Sequence, residues 1–378
     1  MMSKILKSLS PMMFLALIMM IMGTFLALSG SNWFSIWLGL EINMFSFIPF
    51  MSKSTTAKNC EAAAKYLLIQ VAASMIMLYS GYIVISMYSQ NLVYYWFLTF
   101  AFLMKLGAFP AHYWFPSIMQ SCDWLGSMML ATWQKIAPAM ILLMNTYTNQ
   151  NMLMVVVIIN TYLGGILGSN QTDIKTILAY SSVAHMGWFL MPLMYDMPYQ
   201  SMYYLIMYIT MSAPIFLMMQ VYTYNNPNTN NNIMSLNNNM KFSLMLMILS
   251  LGGLPPLSGF IPKLMIMYNS ALMYPLLTII LTIITCISLY FYLTLSFNLM
   301  LSNKKMMYEI KMDKYTVSSI IISFMFTPFI ILYALILLNQ PQSHWNIMLY
   351  IWSMSGNSSH SNKNHYSYWI SSTSIFFS

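Results

Sequence analysis

A handful of ionisable side chains stand in stretches of this chain that are otherwise oil-like. Glu41 sits in WLGLEINMF, Lys105 in FLMKLGAFPAHYW, Lys135 in ATWQKIAPAM, and Lys263 directly after LGGLPPLSGFIP. A charge at the centre of a membrane-crossing helix costs about 2.5–3.5 kcal/mol, so four cost on the order of 10–14 kcal/mol before pairing offsets it. Side chains retained at that cost face a bundle interior or a hydrated cavity, and they mark ion or proton paths. Other polar groups extend the set. Ser181, Ser182 and His185 lie in the apolar middle of TDIKTILAYSSVAHMGWF, and His112 follows Pro110. The chemistry suits protons. A lysine withdrawn from water gives up its proton more readily, and a nearby carboxylate reverses that. Movement of the Glu41 carboxylate relative to Lys105 is therefore expected to load or release a proton, with Ser, His and Lys side chains as further steps. A sodium path fits poorly, because lysines repel the ion and carboxylates are scarce.

The rest of the chain must hold these groups in place, and its composition says how. Of 378 residues, 59% are hydrophobic and only 6% charged, with a mean hydropathy of +0.65. A soluble domain carries about 25% charged residues. Apolar runs recur from end to end, each long enough to cross about 30 Å of hydrocarbon. Lipid offers the backbone no hydrogen bonds, so such runs are helices or strands of a closed barrel. They lack the strict alternation of barrel strands. The expected fold class is an all-α polytopic membrane bundle.

Eleven crossings are predicted, near 11–28, 33–51, 66–88, 92–119, 125–144, 152–168, 174–194, 202–222, 242–271, 274–299 and 317–338. An Asn-rich loop spans 225–239, residues 1–338 make the transmembrane domain, and 339–378 form a polar, aromatic tail. Lysine placement supports this count. One face receives Lys4, Lys7, Lys53, Lys58, Lys65, Lys175, Lys241, Lys304, Lys305, Lys311 and Lys314, and the other only Lys363. That is the asymmetry of a positive-inside topology. Lys65 opens its helix and is read as a structural residue that snorkels to the interface.

Lys105 and Lys263 each occupy an apolar stretch too long for one straight crossing. Pro110 interrupts the first; Pro255, Pro256 and Gly259 interrupt the second. Proline removes a helix donor and clashes with the preceding turn, so both stretches are expected to be broken helices. Broken helices at matched places in two halves point to a transport site. They lie five crossings apart, which gives the halves opposite orientation and an inverted repeat, with Lys105 and Lys263 expected as symmetry mates.

The net charge of +8 is not a nucleic-acid footprint, because the lysines are scattered singly. Cys60, Cys122 and Cys286 show no paired spacing, so they are read as buried, inert thiols rather than iron–sulfur or zinc ligands. The five histidines have no metal-ligand spacing. The first apolar run is read as a retained helix and not a cleaved signal peptide.

Five blocks in order carry a resemblance: WLGLEIN (37–43), KLGAFPAHYW (105–114), WQKIAP (133–138), TDIKTILAYSSVAHMGW (172–188) and GGLPPLSGFIPK (252–263). Together they resemble the antiporter-like membrane subunits of respiratory complex I, specifically the chain 2 type of NADH–ubiquinone oxidoreductase in insects or arthropods. The resemblance covers roughly residues 10–338. It implies an eleven-helix animal form without the first three helices of bacterial relatives. It also implies a Glu41–Lys105 coupling pair, Lys135 as central relay, and Lys263 as terminal lysine of the second half-channel. Its further implication is proton pumping driven by redox chemistry elsewhere, with no cofactor in this chain. FMN, Fe–S clusters and ubiquinone are expected in other subunits. The partners implied are other membrane-arm subunits, including a neighbouring antiporter-like one, and membrane lipid. The implied location is the mitochondrial inner membrane, with the N-terminus on the matrix side and the C-terminus in the intermembrane space. The absence of arginine and the 43 methionines resemble the bias of AT-rich animal mitochondrial genomes. A free-standing monovalent cation/proton antiporter is the alternative function, and a purely structural scaffold a third. The tail is longer than the resemblance leads one to expect, and its Trp345, Trp352, Tyr366 and Trp369 suit an aromatic belt or a subunit contact.

Overall fold

The computed structural model describes residues 11–51, 57–86, 92–144, 150–225, 238–255 and 257–301, and every regular element among them is helical. The predicted crossing 317–338, the tail and Pro256 lie outside the described residues. The helices are α1 (Pro11–Ser29), α2 (Trp33–Met51), α3 (Ala57–Ser86), α4 (Leu92–Leu106), α5 (Trp114–Ser121), α6 (Trp124–Ala131), α7 (Trp133–Met144), α8 (Gln150–Ser169), α9 (Ile174–Leu190), α10 (Pro198–Asn225), α11 (Asn238–Gly252), α12 (Phe260–Met273) and α13 (Pro275–Leu301). Eight spans among them are long and apolar enough to cross a membrane, with α6 and α7 making one span. The pairs α4/α5 and α11/α12 are the two stretches expected to break, and each is split at its proline–glycine segment.

Three boundaries differ from the expectation. α3 starts at Ala57 rather than at 66, because Glu61 and Lys65 pair across one turn at 2.5 Å on its exposed side. Such a pair lets a helix continue through polar residues. The fifth crossing is interrupted at Thr132, where ψ reaches −72° and the hydroxyl donates to the Met128 carbonyl at 2.7 Å. A threonine that bonds back to the preceding turn distorts a helix. The seventh crossing ends in a 3₁₀ turn, Met191–Tyr195, closed by Asp196 at φ 54°. The cysteines also differ: Cys122 is buried, but Cys60 and Cys286 are exposed on the outside of the bundle.

Two halves repeat at the level of residues. A methyl added at Gly23 of α1 would lie 2.7 Å from the Asn43 nitrogen and 3.0 Å from the Gly39 oxygen of α2. One added at Gly164 of α8 would lie 2.6 Å from the Ala184 nitrogen and 2.7 Å from the Tyr180 oxygen of α9. The spacing within the two trios is identical, so α1–α2 and α8–α9 are packed in the same register. The broken helices match as well. α4 closes with Ala108 N–H to Leu103 O and Gly107 N–H to Met104 O; α11 closes with Leu254 N–H to Leu249 O and Gly253 N–H to Ser250 O. Both are the cap in which a left-handed glycine follows the last helical residue, and Gly107 and Gly253 have φ of 71° and 81°.

This register corrects one expectation. With Gly107 matched to Gly253, Pro110 falls on Pro256, Trp114 on Phe260 and Pro116 on Pro262. Lys105 then matches Leu251, and Lys263 matches Ser117. The two lysines are not symmetry mates, since they lie on opposite sides of equivalent breaks.

Candidate functional site

A helix that stops inside the bundle leaves backbone donors and acceptors that need partners. At the first break, the Phe109 N–H donates to the Asn160 side-chain oxygen at 2.7 Å, and Trp114 Nε1–H donates to the Met104 carbonyl at 3.1 Å. Gln70 Nε2–H reaches the Lys105 carbonyl at 3.5 Å. At the second break, Lys263 Nζ donates to the Gly252 carbonyl at 2.8 Å. Its cationic amine therefore sits at the C-terminal end of α11, where the helix dipole is negative. Lys105 occupies the corresponding end of α4, in its last turn. Non-equivalent residues thus bring lysine to the same end of each broken helix.

All three stray lysines are buried, with 6% of Lys105, 2% of Lys135 and 6% of Lys263 exposed. Lys105 and Lys135 line one cavity of about 20 Å³, shared with Asn43, Tyr66, Gln70 and Gln134. A water needs about 10–15 Å³, so this space is large enough for one. The Lys135 amine rests over the Phe115 ring, 4.6 Å from its centroid, and lies 5.2 Å from that of Tyr208. A cation held on an aromatic face gains roughly 0.5–2 kcal/mol there. A second cavity of about 10 Å³, at the lower limit for a water, is lined by His185, Lys263, Thr285, Ser288 and Tyr292.

Glu41 lies at the middle of α2 and is half-buried. Among the described residues the ion pair is Glu61–Lys65, and the Glu41 carboxylate forms none with Lys105. His185 is buried, and its Nδ1 shares a 2.7 Å hydrogen bond with the Tyr204 hydroxyl. The buried Ser181 and Ser182 lie beside the hydroxyls of Tyr292 and Tyr208 respectively. His112 is buried against the Tyr113 ring, 3.9 Å between centroids, and lines neither cavity. Of the helix-breaking residues, Pro110, Pro255 and Gly259 fall in the two interruptions. Among the described residues no three His, Cys, Asp or Glu side chains gather as metal ligands would.

Sequence reasoning missed the neutral groups between the charges. Gln134 bonds to Tyr66 and Asn43, Asn160 serves the first break, and Tyr204, Tyr208 and Tyr292 bridge the space from Lys135 to His185 and Lys263. Asparagine and tyrosine are abundant throughout this chain, and a glutamine carries no charge, so their identity alone carried no signal. The one usable clue was position: Gln134 directly precedes Lys135.

Residues 30–288 match the family described as NADH:quinone oxidoreductase/Mrp antiporter, transmembrane. The chain is 37% identical over 294 residues to NADH-ubiquinone oxidoreductase chain 2 of Anopheles gambiae, covering 76% of this chain and 85% of that one. To the chain 2 protein of Canis rufus it is 36% identical over 332 residues, covering 81% and 92%. Among solved structures, a chain of respiratory complex I from Thermus thermophilus superposes with a TM-score of 0.73 at 19% identity, covering 86% of this chain and 79% of that one. A chain of the Mrp complex from Dietzia superposes with a TM-score of 0.66 at 15% identity, covering 74% and 59%. These two likenesses speak to fold.

Proposed function

This chain belongs to the NADH:quinone oxidoreductase/Mrp antiporter transmembrane family, within its NADH-ubiquinone oxidoreductase chain 2 group, and on that premise we propose that it is a proton-translocating membrane-arm subunit of respiratory complex I. The observation that carries the reading is the row of buried lysines at helix interruptions, with Lys105 and Lys135 sharing one cavity and Lys263 lining another. A membrane interior tolerates such groups where they pair, hydrate or move charge. Lys105 exchanges its proton under the influence of Glu41, Lys135 relays it, and the Tyr208, Tyr204 and His185 cluster passes it toward Lys263. Broken helices supply the polar backbone ends that let water and amines sit at this depth.

The subunit converts conformational and electrostatic change into proton movement. Flavin, iron–sulfur and quinone chemistry belongs to other subunits of the complex. Its partners are neighbouring membrane-arm subunits, one of them antiporter-like, and lipid. It resides in the mitochondrial inner membrane with its N-terminus facing the matrix and its C-terminus the intermembrane space, because lysine-bearing connections favour the matrix side. Coverage of most of the length of chain 2 relatives favours this over a free-standing cation/proton antiporter.

The test is proton output per electron in the intact complex carrying Lys105→Ala, Lys135→Ala or Lys263→Ala. We expect assembled complex with lower output in each case. Native output from all three would leave the lysines with a scaffolding role and overturn the proposal.

A further inference from the structure

One side chain next to Lys135 links α7 to both α2 and α3. Gln134, the residue before Lys135 on α7, accepts a hydrogen bond from the Tyr66 hydroxyl on Oε1 at 3.2 Å. Its Nε2 donates to the Asn43 side-chain oxygen at 3.2 Å, to the Asn43 carbonyl at 3.4 Å, and to Met20 sulfur at 3.3 Å. The orientation of the amide follows from these partners, since Asn43 presents oxygens on one side and Tyr66 a hydroxyl on the other. Asn43 is two residues from Glu41 on α2, and Tyr66 is one turn from Gln70 on α3, whose amide reaches the Lys105 carbonyl. Gln134, Lys135, Lys105 and Asn43 line the same cavity.

We propose that Gln134 is a positioning residue that transmits movement of the Glu41 helix to Lys135, through its hydrogen bonds to Asn43 and Tyr66. A shift of α2 that alters the Glu41 to Lys105 distance carries Asn43 with it, because a helix moves as a rigid body over a single turn. The Gln134 amide follows Asn43, and its backbone is continuous with Lys135. Glutamine suits such a link because it offers a donor and an acceptor on one planar group and has no proton of its own to lose. It therefore couples the two lysine sites mechanically without becoming a step in the relay. Alanine at this position leaves Lys135 in place and removes the link. The nearby interruption at Thr132 gives α7 freedom to respond independently of α6.

This inference rests on the proton-pumping reading and deepens it. The experiment compares protons pumped per electron in the intact complex reconstituted in liposomes, at matched assembly. The variants are Lys135→Ala, Gln134→Ala, Tyr66→Phe, Asn43→Ala and the Asn43→Ala/Gln134→Ala double. We expect Gln134→Ala to lower the ratio as Lys135→Ala does, and Tyr66→Phe to lower it less. The double variant should lose no more than Gln134→Ala alone, since residues acting as one unit are not additive. A merely structural glutamine lowers the amount of assembled complex and leaves the ratio unchanged. Should Gln134→Ala fail to assemble, Tyr66→Phe decides, because it removes a single hydroxyl. A native ratio in the assembled Gln134 and Tyr66 variants beside a lowered ratio in Lys135→Ala overturns the inference alone. Full additivity in the double variant overturns the link through Asn43. A native ratio in Lys135→Ala as well overturns the pumping reading beneath it.

Discussion

The first half of this molecule and its repeat share a backbone plan but differ in charge. On the register fixed by the Gly23 and Gly164 contacts, Glu41 of α2 corresponds to Ser182 of α9, and on the register of the broken helices Lys105 corresponds to Leu251. The acid and the lysine of the first half are thus matched by a buried serine and a buried leucine in the second. The breaks are covered differently as well. Against Gly107 lies the Phe115 side chain, 3.1–3.2 Å from where a methyl would be, and on its ring rests Lys135. Above Gly253 lies the Lys263 side chain itself, 3.1 Å away. The lesson is that a repeat keeps the interruptions, which are properties of the backbone, while charge is placed wherever a side chain can reach the helix end. By this comparison the first half is expected to act as the switch and the second as a conduit.

The largest effect tests the shared backbone. Alanine at Gly23 or Gly164, which are equivalent positions, drives a methyl into the backbone of the adjoining helix. Overpacking costs about 1–3 kcal/mol where side chains can give way, and backbone gives way less. Both variants should therefore lack assembled complex on native gels. Normal assembly of one but not the other would break the equivalence of α1–α2 and α8–α9. Next comes the difference in charge. Glu41→Gln should lower protons pumped per electron about as far as Lys105→Ala, whereas Ser182→Ala should change it little, because only the first carries a field. Equal losses from Glu41→Gln and Ser182→Ala would erase the distinction between switch and conduit.

How much of this was legible beforehand follows physical lines. The helices were readable because lipid forces long apolar runs, and both breaks because Pro110 and Pro255 cannot continue a helix. The break at Thr132 was not readable, since threonine interrupts a helix only when its hydroxyl finds the preceding carbonyl, as it does at Met128. Glu41 and the three lysines stood out because charge in oil is costly. Their mutual geometry did not: the sequence offered Lys105 and Lys263 as mates, and only the cap register separates them. Gln134 and Asn160 were hidden because neutral amides carry no such cost signal until their partners are known.

Asn160 supplies a medium-sized test of the first break. Alanine there strands the Phe109 N–H, which this side chain satisfies, inside the bundle. A buried donor left unsatisfied costs about 1–3 kcal/mol, so Asn160→Ala should lower the thermal stability of the complex by that order. Its effect on proton output should be smaller than that of Glu41→Gln, because the amide holds the backbone and not a charge.

A small loss is expected in the second half, at Tyr204. Its hydroxyl and His185 Nδ1 lie 2.7 Å apart, and this contact fixes the ring of a histidine that shares a cavity with Lys263. Hydrogen bonds between side chains in membrane proteins average about 0.6 kcal/mol, so Tyr204→Phe should assemble and lose only that much stability. Proton output should fall modestly, since His185 keeps its position between Tyr208 and the cavity with a looser ring. Measured beside Glu41→Gln under one set of conditions, Tyr204→Phe ranks the halves directly. A loss as deep as that of Glu41→Gln would mean that the second half holds a switch of its own, built from neutral hydroxyls and an imidazole in place of a carboxylate and an amine.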